Sequence, residues 1–483
     1  MMKKLTSLLL AGVLSLGLFA CGGGGDSTPD SIDISGELSG NDKVTIEFMG
    51  WGDIDEERNY QTLVNKFMDE NPNIIVNYIC ESSTTYMNTL TARASNLPEL
   101  FYMPDYDFLE WAANGMLLDI TNLVTADDLN KLWPDAVNEY YFNPSEMTLG
   151  KSEGARLYGL PKDLGPFTLV YNKTLLDAKI AEYDLNASEI YSILDPADPM
   201  TWDELVSVLK AVDPDGGEPK VSDEVYGISH YELQAAVYSN DANFFTDDAS
   251  EERISNKNFY DAVQFIVDLS TVHNVMPSAA NQVANNGYVR FKSGGCIFSF
   301  MGPWDCANFW KEVSFEYDIL PVAYNGNNPN AKSTAWVGSM GYCLNGKLKD
   351  TKKIAAAIKL ANYLCADEEA QREFYKLGQQ VPNIQTMAFG EYLAADNAYL
   401  STKNPVNRQV WVDTIYNSGA NDKIHGKTRA HYYTYQSAWL EDLTNYFNDR
   451  GMWDGNATAK DVCESFATTL QGLLDDMRSQ MGI

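Results

Sequence analysis

The sequence predicts an α/β fold made of two large lobes, and three observations support this. The chain has 483 residues, which is more than one ordinary hydrophobic core accommodates. Its composition is globular, with 45% hydrophobic and 21% charged residues. Short strand-like apolar runs alternate with segments of helical periodicity, and this alternation favours a parallel sheet because parallel neighbours need a helical crossover.

The first 20 residues predict a secretory signal peptide rather than a part of the fold. Lys3 and Lys4 are followed by an apolar stretch, 5–20, that is too short for a transmembrane helix with these flanks. Its end, Leu18–Cys21, resembles a bacterial lipobox, so Cys21 is predicted to carry a lipid; the alternative is an ordinary signal peptide with a chance cysteine. The glycine-rich segment 21–42 predicts a flexible tether, and the protein is expected at the extracytoplasmic face of the membrane.

The folded part begins with alternating strands and helices. Strands are predicted over 44–48, 74–79 and 100–103, and helices over 59–71, 86–95 and 108–115. Later strands are predicted over 157–161, 167–172, 296–300, 317–321 and 336–344, with an interruption at Gly165-Pro166 between the first two. Further helices are predicted to begin at Thr201, where a cap precedes two acids, and to cover 259–269 and 354–365. The last third is predicted to be mostly helical.

Charge and motif content exclude several classes of protein. The net charge of −32 argues against nucleic-acid binding. The four histidines lack metal-ligand spacing, and no nucleophile or phosphate-loop motif occurs, so we expect no catalytic residues, no metal and no cofactor. Six cysteines follow Cys21, and their spacing permits one or two disulfides as readily as free thiols.

Two tryptophans stand directly after predicted strands, in glycine-containing turns. Trp51 precedes Asp53, and Trp304 precedes Asp305. In open α/β sheets, ligands bind beyond the carboxyl ends of the strands. An indole offers a flat apolar surface and a carboxylate accepts hydrogen bonds, which together suit the faces and hydroxyl rim of a sugar. We therefore predict that these four residues bind a ligand; the alternative for the indoles is packing under neighbouring loops.

Several segments, in this order, resemble extracellular solute-binding proteins of carbohydrate ABC importers. They are MGWGDIDEERNYQTLVNKFMDENPNIIVNYI, LPELFYMPDYDFLEWAANGMLLDIT, LYGLPKDLGPFTLVYNKTLL, MTWDELVSVLKAV, FKSGGCIFSFMGPW, YDILPVA and AAIKLANYLCADEEAQREFYKLGQQVPNI. The resemblance runs from about Lys43 to the C-terminus. The sequence departs from the family at Glu99, where Asp is usual, and over 403–427, which has no clear counterpart.

The resemblance implies a two-lobed periplasmic-binding-protein-like fold of type II, in which each lobe is a sheet flanked by helices and a multi-strand hinge joins the lobes. The N-terminal lobe would comprise 43–158 plus 338–378, and the C-terminal lobe 159–337 plus 379–483. The ligand would sit in the cleft between them.

Further residues are predicted to bind from their positions in this architecture. The resemblance adds Tyr86 and Asp105 on the first lobe and Trp439 near the C-terminus. Asp163 is expected to bond a hydroxyl or to end a turn, and Trp336 to face either the ligand or the hinge. Trp202, by contrast, stands at a helix start beside an apolar face, which predicts core packing.

The resemblance implies a membrane-tethered receptor that captures a disaccharide or oligosaccharide and delivers it to the permease subunits of an importer. We expect a monomer. Three alternatives remain open at the level of sequence: an extracellular glycan-cleaving enzyme, since carboxylates are abundant, a surface adhesin or assembly lipoprotein, and a receptor for a non-sugar solute. Anionic solutes are disfavoured because no arginine cluster accompanies the aromatic strand ends.

Overall fold

A computed structural model describes residues 32–213, 225–246, 248–284, 286–416, 422–428 and 436–481. The strands within these ranges are β1 (Val44–Trp51), β2 (Ile74–Glu81), β3 (Leu100–Pro104), β4 (Tyr141–Asn143), β5 (Thr148–Leu149), β6 (Arg156–Leu157), β7 (Gly159–Asn172), β8 (Tyr226–Ile228), β9 (Cys296–Met301), β10 (Tyr317–Leu320), β11 (Ser333–Leu344) and β12 (Ile424–Lys427).

The α-helices of the described ranges lie between and around these strands. They are α1 (Ile54–Glu70), α2 (Tyr86–Ala92), α3 (Asp105–Ala113), α4 (Ala126–Leu129), α5 (Pro134–Asn138), α6 (Lys173–Glu182), α7 (Ala187–Ile193), α8 (Trp202–Val212), α9 (Leu233–Tyr238), α10 (Lys257–Thr271), α11 (Ala279–Ala284), α12 (Gly287–Lys292), α13 (Cys306–Glu312), α14 (Thr351–Ala366), α15 (Glu368–Lys376), α16 (Gln385–Met387), α17 (Gln409–Tyr416), α18 (Gln436–Asp449) and α19 (Ala459–Met481). None of the helices described is long and apolar enough to cross a membrane.

One sheet of nine strands organises the molecule. Its main path is β2-β1-β3-β11-β7-β9-β8, with β10 beside β7 and β12 beside β11. β1 runs parallel to both β2 and β3, so the carboxyl ends of these three strands meet at one edge. Strands β4, β5 and β6 form a separate small sheet. This arrangement confirms the predicted α/β class.

Two long strands, β7 and β11, pass from one half of the sheet to the other. The first part of β7, Gly159–Phe167, pairs with β11, while its end pairs with β9 from Thr168 and with β10 from Leu169. Residues Met340–Leu344 of β11 pair with β3, whereas Ser333–Trp336 pair with β12. These crossing strands join the two lobes as a multi-strand connection. The limits proposed for each lobe stay a prediction.

The predicted interruption of β7 at Gly165-Pro166 is wrong, because Pro166 lies inside one continuous strand and pairs with Val337 of β11. Proline cannot donate a ladder hydrogen bond and is tolerated where one strand edge lacks a neighbour. The pairing of β9 with β7 begins only at Thr168, beyond the proline. Pro166 thus sits where β11 pairs with one edge of β7 and β9 has not yet reached the other.

Helix α8 forms as its sequence predicts. Thr201 Oγ1 accepts from the Glu204 N–H at 3.2 Å, and Glu204 Oε2 accepts from the Thr201 N–H at 2.7 Å, which closes a reciprocal cap. The Trp202 ring stacks on Phe265 with centroids 4.2 Å apart and planes 3° apart, and its Nε1 donates to the Ala323 carbonyl. The predicted core role of Trp202 is therefore confirmed.

The segment 32–42 is not a loose tether, which corrects the predicted range 21–42 for its final part. The side chains of Ile34 and Leu38 pack against the core of the first half. Asn73 Nδ2 donates to the Leu38 carbonyl at 3.2 Å, and Thr351 Oγ1 donates to Glu37 Oε1 at 2.9 Å. The apolar residues that follow the glycine run thus fasten this arm to the first lobe, while Cys21 lies outside the described residues.

The cysteines of the described chain carry no disulfide. They are Cys80, Cys296, Cys306, Cys343, Cys365 and Cys463, and all but Cys80 are buried. Of the two readings that the spacing allowed, the structure shows the free thiols, which pack as small apolar side chains.

Candidate functional site

A cavity of about 560 Å³ opens between the two halves of the sheet. Six residues predicted from the sequence line it: Trp51, Asp53, Asp105, Asp163, Trp304 and Trp336. Nine others complete the lining: Gly52, Glu56, Ser82, Ser83, Tyr106, Lys162, Gly338, Ser339 and Met340. The structure therefore brings together residues that lie up to 289 positions apart in the numbering of the chain.

The first half contributes the ends of its three parallel strands. Trp51 is the last residue of β1, Ser82 follows β2, and Asp105 follows β3 as the first residue of α3. Because parallel strands end at one edge, these residues meet although Trp51 and Asp105 lie 54 positions apart in the sequence. Each strand thus places one lining residue at its carboxyl end or directly after it.

The Trp51 indole rests on a layer of tyrosines. Its ring lies edge-on to Tyr86, with centroids 4.9 Å apart, and to Tyr102, with centroids 6.0 Å apart. A Cβ at Gly50 would lie 2.8 Å from the Tyr102 ring, so only glycine admits this tyrosine beside the strand. The glycine before Trp51 therefore makes room for the support of the indole.

Tyr86 was predicted to contact the ligand, but it is not part of the lining. Its side chain is fully buried beneath Trp51, and its hydroxyl donates to the Tyr102 carbonyl at 2.7 Å. A tyrosine at a helix start can satisfy its hydroxyl inside the core in this way. Tyr86 thus positions Trp51 rather than the ligand.

Asp53 and Glu56 connect the cavity to the start of α1. Asp53 Oδ1 accepts from the N–H groups of Asp55 and Glu56, and Glu56 Oε2 accepts from the Asp53 N–H. This reciprocal cap explains why α1 begins at Ile54, earlier than predicted. Burial raises the pKa of the Glu56 carboxyl, and the Lys162 ammonium opposes that rise. Glu56 Oε1 also accepts from Gln379 Nε2 at 2.7 Å.

The second half contributes Trp304, which glycine clearances hold in place. A Cβ at Gly165 would lie 2.4 Å from the indole Cζ3, and a Cβ at Gly302 would lie 2.4 Å from Cζ2. The indole stacks on Phe167 with planes 9° apart and centroids 5.9 Å apart. Trp336 stands edge-on to it, with centroids 6.3 Å apart. Two indoles from separate segments thus form one aromatic corner of the cavity.

Asp305 does not line the cavity, although it was predicted to bind. Its carboxylate is buried, and Oδ2 accepts from the Gly302 N–H at 2.8 Å, which holds the turn that carries Trp304. Burial raises the pKa of the Asp305 carboxyl to about 7, against the opposing effect of bonds from Gly302 and the Tyr288 hydroxyl. Asp305 is therefore a positioning residue for the indole.

A β-bulge presents Lys162 and Asp163 together at the base of the cavity. Met340 of β11 pairs with Asp163, but Gly341 pairs with Pro161, so Lys162 is an extra residue in β7. Neighbouring side chains of a regular strand point to opposite faces, and a bulge redirects them. Lys162 Nζ consequently lies 2.6 Å from Asp163 Oδ2.

This ion pair is almost removed from solvent, since the exposed fractions of the two side chains are 2% and 10%. The Lys162 ammonium lies 5.6 Å from the Tyr60 ring centroid and 5.5 Å from that of Tyr102. The Lys162 carbonyl accepts from Asn383 Nδ2 at 2.7 Å. The base of the cavity is thus fixed by an ion pair, by two aromatic faces and by the hydrogen bond from Asn383.

The residues that sequence reasoning missed carried partial signals. Ser82 and Ser83 follow a predicted strand, so the rule applied to Trp51 would have found them. Glu56 stands three residues after Asp53, the spacing of a capping box. Lys162 offered no comparable signal, because the bulge depends on the pairing with β11. Trp439 lies on α18, and its side chain is outside what the structure describes.

The cavity combines apolar faces with hydrogen-bond acceptors. Three indoles supply flat surfaces, and Asp53, Glu56, Asp105 and Asp163 supply carboxylates. Lys162 is the cation of this lining. Within the described ranges, no group of three or more His, Cys, Asp or Glu side chains is arranged to hold a metal ion. The lining therefore suits an uncharged guest with apolar faces and several hydroxyl donors.

Solved structures with the same fold come from several bacteria. An ABC substrate-binding protein of Listeria monocytogenes, in complex with cycloalternan, is 19% identical, with a TM-score of 0.69 over 92% of this chain and 100% of that one. A cyclic alpha-maltosyl-1,6-maltose binding protein of Arthrobacter globiformis is 18% identical, with a TM-score of 0.66 over 90% and 100%.

A third similar structure is the maltose/maltodextrin-binding domain of Bdellovibrio bacteriovorus bound to maltotriose. It is 16% identical, with a TM-score of 0.63 over 90% of this chain and 100% of that one. At such identities these likenesses show the two-lobed fold.

The family is shown by sequence. A model of the bacterial extracellular solute-binding proteins matches residues 62–400, which are most of the folded chain. The match includes the second half of α1, the bulge of β7, the turn at Trp304 and the whole of β11. The chain therefore belongs to the family of bacterial extracellular solute-binding proteins.

Proposed function

We propose that this protein is the substrate-binding subunit of an ABC importer and that it captures a disaccharide or oligosaccharide in the cavity between its lobes. The observation that carries the proposal is the lining itself, in which Trp51 from one half faces a cavity shared with Trp304 and Trp336 from the other. Indoles cover the apolar faces of sugar rings, and carboxylates accept from their hydroxyls. The carbohydrates bound by the similar solved structures support the same ligand class.

Ligand capture would close the two lobes on the sugar. Both crossing strands reach the cavity, through Lys162 and Asp163 on β7 and Trp336 on β11. At the rim, Lys311 Nζ of α13 lies 2.5 Å from Asp55 Oδ1 of α1, so a contact between the halves already exists. A ligand that touches both halves stabilises the closed form by its differential affinity. The lobes proposed are 43–158 plus 338–378 and 159–337 plus 379–483.

We further propose that Cys21 is lipidated and holds the protein at the extracytoplasmic face, where it meets permease subunits as a monomer. The membership of an extracellular family supports this location. The apolar stretch before Cys21 and the small residue Ala20 support lipidation. Mass spectrometry of the membrane fraction is the test: a diacyl modification on Cys21 is expected, and a soluble mature chain cleaved elsewhere would contradict it.

Calorimetric titration of the folded protein with a panel of disaccharides and linear oligosaccharides tests the ligand class. We expect saturable binding of at least one series, lost on Trp304→Ala and retained on Trp453→Ala, whose ring packs on Phe447 outside the cavity. Each bound sugar is then incubated with the protein and assayed for new reducing ends, and none is expected. Reducing ends would favour the glycan-cleaving alternative. Heat only with peptides or anions would favour a non-sugar solute.

A further inference from the structure

A second and larger cavity, of about 950 Å³, lies in the second half of the molecule. Its lining includes Tyr238, Asn243, Arg253, Thr334 and Lys427. None of these residues lines the first cavity. The two cavities nevertheless share a strand, since Thr334 belongs to β11, which also carries Trp336.

The pairing of β11 places both cavities on one face of the sheet. Side chains alternate along a strand, so Thr334, Trp336, Gly338 and Met340 share a face. The last three line the first cavity, and Thr334 lines the second. Lys427 of the parallel strand β12 is the partner of Trp336, so it stands beside that indole on the same face. The second cavity therefore lies beside the first on this face of β11, and Trp336 is the β11 residue of the first cavity that is nearest to Thr334.

The chemistry of the second cavity complements that of the first. The first offers mainly carboxylate acceptors, whereas the second has one carboxylate, Asp241, and is richer in donors, among them Lys427, Arg253 and the amide of Asn243. Lys427 Nζ lies 5.1 Å from the centroid of the Tyr238 ring, which fixes the ammonium over an aromatic face. Arg253 is paired with Glu251 at 3.1 Å. Sugar hydroxyls both donate and accept, so one saccharide chain can satisfy acceptors in the first cavity and donors in the second.

We propose that the second cavity is an accessory subsite that holds the distal residues of an oligosaccharide too long for the first cavity. The oligosaccharide would extend from the first cavity past the Trp336 indole, and its distal sugar residues would contact the Lys427 ammonium. This inference rests on the proposed function and narrows its substrate class to linear oligosaccharides rather than disaccharides alone.

The experiment compares short and long members of the same linkage series. Maltose and maltopentaose, cellobiose and cellopentaose, and xylobiose and xylopentaose are titrated into the wild-type protein. The variants are Lys427→Met, which keeps the approximate length of the side chain, and Thr334→Trp, which places a bulky ring in the second cavity at the end nearest Trp336. Lys423→Met is the matched control, because Lys423 lies on the same segment but pairs with Asp198 outside the second cavity. Thermal unfolding checks that all variants fold.

We expect the pentasaccharide of the bound series to bind more tightly than its disaccharide. Lys427→Met should weaken the pentasaccharide about tenfold, the loss of one charge-assisted hydrogen bond, and leave the disaccharide within about twofold. Thr334→Trp should act in the same direction, and Lys423→Met should change neither. Equal affinities for both lengths, or equal effects of the variants on both, would overturn the subsite while leaving the proposed function intact. Failure of every series to bind would overturn both.

Discussion

Replacing Gly165 by alanine should weaken sugar binding without touching a side chain that faces the ligand. The new Cβ would lie 2.4 Å from Trp304 Cζ3, and ordinary contacts begin at 3.4 Å, so the indole edge must move by about 1 Å. The indole cannot yield toward Gly302, where clearance is equally small, and it is stacked on Phe167. The Trp304 indole must therefore tilt, and its face then no longer lines the cavity in the wild-type orientation.

The size of the effect follows from what the tilt removes. A well-aligned aromatic contact contributes about 1 kcal/mol beyond the area it buries, which corresponds to a roughly five- to tenfold rise in Kd. Overpacking should also lower the free energy of unfolding by about 1–3 kcal/mol. Calorimetry with the sugar found in the panel measures the first quantity, and urea unfolding measures the second.

Gly390→Ala is the matched control, because no heavy atom lies within 4 Å of a Cβ at that position. It should leave both the Kd and the urea midpoint near their wild-type values. A Gly165→Ala protein that binds the sugar as tightly as wild type, with its indole unmoved in a crystal structure, would refute the claim that glycine clearance positions Trp304.

Three further predictions concern buried groups. The pKa of the Asp305 carboxyl is about 7 in the folded protein and 3.8 ordinarily. Between pH 3.8 and pH 7 the native state therefore holds a proton that the unfolded chain has released. Stability should fall as pH rises from about 4 to 7, by on the order of 4 kcal/mol, and Asp305→Asn should remove this component in urea titrations at each pH. Lys162→Met should lower the free energy of unfolding by about 3–5 kcal/mol, because the buried Asp163 carboxylate loses its counter-ion. Adding Asp163→Asn should recover part of that loss in the same assay. Trp202→Ala should lower unfolding free energy by about 3–5 kcal/mol yet leave the Kd for sugar unchanged.

Local pattern was sufficient for the elements that carry the first half of the site. The alternation in β1, the Asn71 stop after α1 and the strand starts at Ile74 and Leu100 all appear in the structure near their predicted positions. The rule that ligands bind beyond the carboxyl ends of strands singled out Trp51, and the family resemblance added Asp105; both residues line the same cavity.

The errors arose where long-range pairing decides the outcome. Asp305 directly follows the lining residue Trp304, and Tyr86 lies three positions after Ser83, but each of the two side chains turns inward and makes a hydrogen bond in the core. The bulge at Lys162 exists only in register with β11. The donors Arg253 and Lys427 of the second cavity lie 174 positions apart in the sequence. Because they form no local cluster, the sequence pattern did not predict that they line a common cavity.

The arm formed by residues 32–42 has a mechanical consequence for a receptor that works at a membrane. With the acyl group proposed on Cys21, eleven peptide units separate the lipidated residue from Ile32, where the arm begins. At full extension this linker spans at most about 40 Å. The first lobe would then stay close to the bilayer, because Leu38 and Glu37 of the arm contact it. The second lobe would move relative to the first, and release of the sugar would depend on how far the second lobe can open above the lipid surface.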